Sequence, residues 1–160
     1  MSVAFVFPGQ GSQSVGMGKG LADNFVAAKR IFDEVDAALG ARLSAIIFEG
    51  PAEALTLTEN AQPALMAVSL AAMRVLEAEA GLDLKRDAQF VAGHSLGEYS
   101  ALAAAGTFSI ADTARLLRTR GQAMQKAVPV GAGAMAALLG LDYDAAVAVA
   151  AEAAQGQVCQ

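Results

Sequence analysis

Apolar residues in this chain occur in two textures: short unbroken runs that end on glycine or proline, and longer stretches where they recur every three or four positions. Val3-Ala4-Phe5-Val6-Phe7 is a run of the first kind and stops at Pro8-Gly9. Having no polar face, it predicts a buried parallel strand whose exit is a loop. Phe90-Val91-Ala92, closed by Gly93, is a second such run. Leu43 to Phe48 is a further short apolar piece, ended by Gly50-Pro51. The second texture predicts helices. One is capped by Asp23 or Asn24 and runs to Leu39, with Phe25, Ala28, Ile31, Phe32, Val35 and Leu39 on one stripe and Gly40 as its stop. Another spans about Asn60 to Ala80, with Pro63 in its first turn and Leu65, Val68, Leu70, Met73 and Leu76 as core. Glu98 to Ala104 is helix-prone, and Ser109-Ile110-Ala111-Asp112 has the form of a capping box opening a helix to about Ala127.

From Pro129 the pattern changes. Gly131 and Gly133 precede an apolar stretch, Ala134 to Leu139, that reads as a strand. Asp142 then caps an alanine-rich helix to about Ala154, and Gln157-Val158-Cys159 begins another strand. Strands alternating with helices predict an α/β fold. Residues 1–128 form its core, and residues 129–160 form a linker followed by the start of a second, incomplete subdomain.

Chemistry concentrates where the second strand gives way to a helix, at Gly93-His94-Ser95-Leu96-Gly97. A serine on a sharp strand-to-helix turn is lifted clear of the sheet, and flanking glycines allow the chain to bend that tightly. Ser95 would then stand at a helix N-terminus, where unpaired N–H groups and the helix dipole stabilise a developing oxyanion. An ordinary glycine-flanked turn would carry the same five letters; the strand before and the helix after argue for the catalytic reading. The loop Pro8-Gly9-Gln10-Gly11-Ser12-Gln13 leaves the first strand at its C-terminal end, where open α/β sheets place ligands. Its glycines do not follow the spacing of a nucleotide-binding loop. A backbone N–H at or near Gln10, aimed at Ser95 as an oxyanion donor, suits it better. Gln62 is the polar residue at the start of the 60–80 helix that could face this site, or equally a solvated or capping glutamine.

Composition narrows the function classes. Hydrophobic residues are 55% of the chain, charged residues 17%, and the mean hydropathy is +0.43, which describes a packed chain rather than a solvating one. The uncharged stretch Ala127 to Leu141 carries Pro129 and is too short to span a bilayer, so no membrane helix is predicted. No basic residue precedes Lys19, and no signal peptide is read. A single cysteine, Cys159, fits a reducing cytoplasm. The net charge of −5 argues against general nucleic-acid binding. Against that balance, the 110–127 helix carries Arg115, Arg118, Arg120 and Lys126 with Asp112 alone opposing them. Such a run is usually a solvated face, and is here also a candidate docking surface for an acidic protein. Arg120 differs from the rest because Gly121 beside it removes side-chain bulk, leaving room for a planar carboxylate to be gripped bidentately.

Four segments, Phe7 to Gln13, Gln62-Pro63-Ala64, Gly93 to Ala101 and Arg120 to Gln125, together resemble in order and spacing the N-terminal part of the malonyl-CoA:acyl carrier protein transacylase family. The resemblance covers essentially all 160 residues. It implies an α/β-hydrolase-like parallel-sheet core, followed by the first strand and helix of a smaller ferredoxin-like subdomain. It also implies ping-pong transfer of a malonyl group, without cofactor or metal, from malonyl-CoA to the phosphopantetheine thiol of acyl carrier protein through an ester on Ser95. The backbone N–H groups of Gln10 and Leu96 would form the oxyanion hole, and Arg120 would pair with the malonyl carboxylate. One element of the family pattern is missing. The family uses a histidine base well downstream of the serine, and this chain has only His94. Consecutive side chains leaving a strand point to opposite sides, which gives His94 a packing role rather than that of the base. The chain is therefore expected to be an N-terminal portion, inactive alone, with a second chain as a partner that could supply the rest. A polyketide-type acyltransferase domain, a serine esterase and a non-catalytic fragment are the rival readings.

Overall fold

Two short strands and nine helices are found among residues 3–128, 131–133, 136 and 138–159, which are those the computed structural model describes. The fold is mixed α/β, mostly helical, with a small parallel sheet. The chain divides into two units, Met1–Val128 and Pro129–Gln160. The first holds β1 (Ala4–Phe7), α1 (Lys19–Asn24), α2 (Val26–Leu39), α3 (Leu43–Glu49), α4 (Ala52–Thr56) and α5 (Thr58–Ala80). It continues with α6 (Leu84–Asp87), β2 (Phe90–Gly93), α7 (Leu96–Ala104) and α8 (Ile110–Ala127). The second holds α9 (Tyr143–Ala154).

β1 and β2 pair in parallel, Ala4 opposite Phe90 through Phe7 opposite Gly93. The ladder is prolonged at both ends, where the Gln89 N–H donates to the Val3 carbonyl and the His94 N–H to that of Phe7. Alternation along the strands sends Phe5, Phe7 and Val91 toward Met73, Leu84 and Ala101. The opposite face carries Val6 and Phe90, which are 73% and 68% exposed. The expectation of a fully buried strand is thus corrected: unbroken apolarity prepares a strand for cover on both faces, but the described residues cover only one.

The main core lies between α2, α5, α7 and α8. Ala28, Ile31, Phe32 and Val35 of α2 form the expected buried stripe, meeting Ala64, Leu65, Met66, Ala67 and Leu70 of α5 and Leu117 of α8. Four sequence expectations shift. Asp23 and Asn24 cap nothing at α2; they end α1, and α2 starts after Phe25, whose backbone is extended. The 43–48 piece is a helix, because Leu43 and Ile47, one turn apart, are the buried pair. α5 begins at Thr58, two residues early, and its apolar face runs out before Leu76, which is 43% exposed. Gln157, Val158 and Cys159 form no strand.

α8 starts as expected: the Ser109 hydroxyl accepts from the Asp112 N–H at 3.0 Å and donates to the Asp112 carboxylate at 2.7 Å. In the second unit, Asp142 caps α9 by accepting from the Ala145 N–H. Of the strand expected over 134–139, residues 134, 135 and 137 lie outside the described residues. No described helix is long and apolar enough to cross a membrane.

Candidate active site

The backbone at Ser95 has φ 55° and ψ −109°, a conformation that a residue with a side chain adopts only when its surroundings impose it. Steric clearance imposes it here. A Cβ on Gly93 would lie 1.9 Å from the Gly97 carbonyl carbon, and one on Gly97 would lie 2.3 Å from the Phe7 carbonyl oxygen. The end of β2, the start of α7 and the end of β1 therefore touch through bare backbone, and Ser95 is the link that must bend. It comes out exposed, directly before the first N–H groups of α7. Among the described residues, the Leu96 N–H has no backbone or side-chain acceptor, and neither has the Gln10 N–H.

Arg120 reaches this serine from α8. Its Nη2 donates to Ser95 Oγ at 3.0 Å and its Nη1 to Gln62 Oε1 at 2.6 Å, while the guanidinium carbon lies 5.8 Å from the centre of the Tyr99 ring. Gln62, on α5, is fully buried. Its Nε2 donates to Thr58 Oγ1 at 2.8 Å and contacts Met124 Sδ at 3.4 Å. The Thr58 hydroxyl in turn donates to Gln10 Oε1 at 2.8 Å. The solvated alternative for Gln62 is thereby removed. Ser95, Arg120, Gln62 and Gln10, which are distant in sequence, lie in one connected group, with Leu96 adjoining it through the backbone. No carboxylate among the described residues pairs with Arg120, so its charge meets only neutral acceptors.

Two further residues belong to this group without having been singled out in the sequence. Thr58 precedes Gln62 by one helical turn and so shares its face. Starting the helix at Asn60 hid that relation. Tyr99 offers no comparable signal, because nothing in the sequence tells which ring will lie beside the guanidinium.

Gly121 has a different use from the one its sequence position suggested. A Cβ there would lie 2.5 Å from Glu59 Cα and 2.7 Å from the Thr58 carbonyl oxygen. The missing side chain lets α8 press directly onto the first turn of α5, and that space is filled by backbone. Close seating of the two helices is what brings Arg120 within reach of Gln62.

The remaining basic residues of α8 separate. Arg118 turns inward, with Nη1 donating to Asn60 Oδ1, while Asn60 Nδ2 donates to the Ala54 carbonyl at 2.8 Å. Burial pulls the Arg118 pKa below its ordinary value, with nearby Glu59 acting in the opposite direction. Arg115 pairs with Asp112 at the surface, and Lys126 is exposed. The candidate docking run is thus divided, with Arg118 tied to α5 and Arg115 and Lys126 at the surface. His94 does not engage Ser95: its ring lies where a Cβ on Gly9 would approach Nδ1 to 2.2 Å, and its carbonyl accepts from the Gly97 N–H. Among the described residues no histidine or carboxylate hydrogen-bonds Ser95 Oγ.

Comparison with known proteins follows the same lines. The family described as acyl transferase domain matches residues 4–159. The malonyl CoA-acyl carrier protein transacylase of Bacillus subtilis (strain 168) is 55% identical over 143 residues, 89% of this chain and 44% of that protein. The crystal structure of an acyl-carrier-protein-S-malonyltransferase from Bartonella henselae superposes with a TM-score of 0.93 at 62% identity, over all of this chain and 51% of that one. A type II PKS acyl-carrier protein in complex with its malonyl-transacylase gives a TM-score of 0.87 at 44% identity, over 99% of this chain and 50% of that one. The chain thus spans about half the length of the relatives it matches.

Proposed function

Since the chain belongs to the acyl transferase domain family, we propose that Ser95 is the nucleophile that carries a malonyl group from coenzyme A to the thiol of acyl carrier protein. The observation that carries this reading is Arg120. A half-buried guanidinium bonded to the serine hydroxyl, with only neutral partners, suits an acyl group that ends in a carboxylate. An acetyl group would leave that charge without a counterion, and a neutral ester offers an esterase no use for it.

In the first half-reaction Ser95 Oγ attacks the thioester carbonyl carbon and loses its proton to a base. The oxyanion is held by the N–H groups of Leu96 and Gln10, and collapse expels the coenzyme A thiolate, which takes up a proton. In the second, the thiol of the carrier attacks the ester, and Ser95 recovers its proton as it leaves. The base is not among the residues bonded to Ser95 here, and we assign it to the part of the relatives that this chain does not span. The same reading makes Met1–Val128 an α/β-hydrolase-like core and residues 129–160 the beginning of a ferredoxin-like subdomain. Both reactants are water-soluble, and we place the reaction in the cytoplasm.

Intact mass under denaturing conditions tests the proposal. In the chain completed to the length of its relatives, malonyl-CoA should add one malonyl group, and Ser95→Ala should abolish it. Absence of the adduct, or an adduct that survives Ser95→Ala, would overturn the reading.

A further inference from the structure

The hydrogen bonds around Arg120 run in one direction only. A guanidinium can donate but never accept, so Gln62 must turn its Oε1 to Arg120. Its Nε2 then faces Thr58, whose oxygen accepts, leaving the single hydroxyl hydrogen for Gln10 Oε1. Each link fixes the next. Leu57 rather than Thr58 stands at the N-cap of α5, and the side-chain bonds of Thr58 go to Gln62 and to a different loop altogether. Its backbone is also held, because the bare Cα of Gly121 lies against the Thr58 carbonyl. Gln10 is exposed; the bonds beside it, Gly11 N–H to Gln13 and Ser12 hydroxyl to Gly9, are internal to the loop, which is tied elsewhere further on, by the Gly16 N–H to the Ile47 carbonyl. The Thr58 hydroxyl ties that loop to the helix pair.

We propose that Thr58 is a positioning residue, which through its single hydroxyl fixes both the Gln62 amide that orients Arg120 and the Gln10 side chain beside the oxyanion donor. The inference rests on the reading of Ser95 as the malonylated nucleophile. It makes recognition of the acyl carboxylate and stabilisation of the oxyanion two ends of one chain of bonds. Without the hydroxyl, the Gln62 Nε2 loses its oxygen acceptor and the amide is held from the Arg120 side alone, while the Gln10 side chain loses its anchor.

Single-turnover acylation of the chain completed to its relatives' length, with malonyl-CoA and acetyl-CoA compared, separates this role from a merely structural one. Thr58→Val keeps the shape and removes the hydroxyl. It should slow acylation by malonyl-CoA about tenfold, the worth of one lost hydrogen bond, and reduce the preference for malonyl over acetyl. Thr58→Ser should restore both. Gln10→Ala cuts the same bond from the loop side without touching α5, so a poorly folding Thr58→Val does not end the test. It should slow acylation by both donors. If Gln10→Ala, or a folded Thr58→Val, keeps the parent rate and preference while Ser95 is still malonylated, the coupling is wrong and the function stands. If the parent itself is not malonylated on Ser95, the functional reading fails first.

Discussion

The Ser95 elbow and the α5–α8 pair meet at one hydroxyl, yet they are held by different physics. At the elbow, position is set by exclusion. β1, β2 and α7 approach through glycine backbone so closely that no methyl group fits at Gly93 or Gly97, and Ser95 takes its φ of 55° as the remainder. Between α5 and α8 the backbones are seated by Gly121 and by core packing around Leu117, and on that seat Arg120, Gln62, Thr58 and Gln10 are placed by hydrogen bonds. Exclusion is all-or-none and indifferent to the substrate. Hydrogen bonds are graded, and the first of them ends on a charge. In the function proposed above, the elbow would supply a reactive serine of no particular specificity, and the helix pair the choice of acyl group.

The sharpest way to break this contrast is to put a methyl group into the elbow. Gly93→Ala would drive Cβ to 1.9 Å from the Gly97 carbonyl carbon, a distance no small adjustment relieves. The expected cost exceeds about 4 kcal/mol, in the exceptional range for a single substitution. A urea titration should show the loss together with loss of Ser95 acylation by any donor. A variant of parent stability would show that the elbow yields, and the contrast would dissolve. Arg120→Ala attacks the other side and should spare the elbow. Losing a charge-assisted contact to the acyl carboxylate should slow malonyl transfer by roughly tenfold to a hundredfold and raise acetyl relative to malonyl, measured by acylation with each donor. Persistence of the malonyl preference would remove Arg120 from recognition.

The same contrast explains what could be read in the sequence. Much that local backbone chemistry sets was legible: the Gly93 to Gly97 turn, the Ser109 capping box and the α2 stripe follow from residue types at fixed spacings, though the starts of α2 and α5 do not. Features that depend on which element lies opposite were not. Gly121 looked like space for a ligand and is space for the backbone of Thr58 and Glu59. Arg118 looked like one charge in a solvated run, and Asn60 draws it inward. Val6 read as buried because an unbroken apolar run says nothing about whether a second layer is present, and Phe90 shares its uncovered face. Gln62 stood between two readings until the structure placed Arg120 beside it, since a lone glutamine carries no directional signal of its own.

The smallest expected effect sharpens the contrast from within α8. Ser109 caps the helix through the Asp112 N–H, and Ser109→Ala should cost about 1 kcal/mol in a urea titration. Arg120 lies eleven residues further on, about 16 Å along the axis at 1.5 Å per residue. Between them Thr113, Ala114 and Leu117 are buried, and Gly121 follows directly, so fraying of the first turn has no route to the guanidinium while the Gly121 seat holds. Acylation by malonyl-CoA and the preference over acetyl should both stay at the parent values. A fall in preference with Ser109→Ala would mean that the lie of the whole helix, rather than the bonds from Gln62 and Ser95, places Arg120. Specificity would then rest on the same steric positioning as the elbow, and the two regions would not be separable.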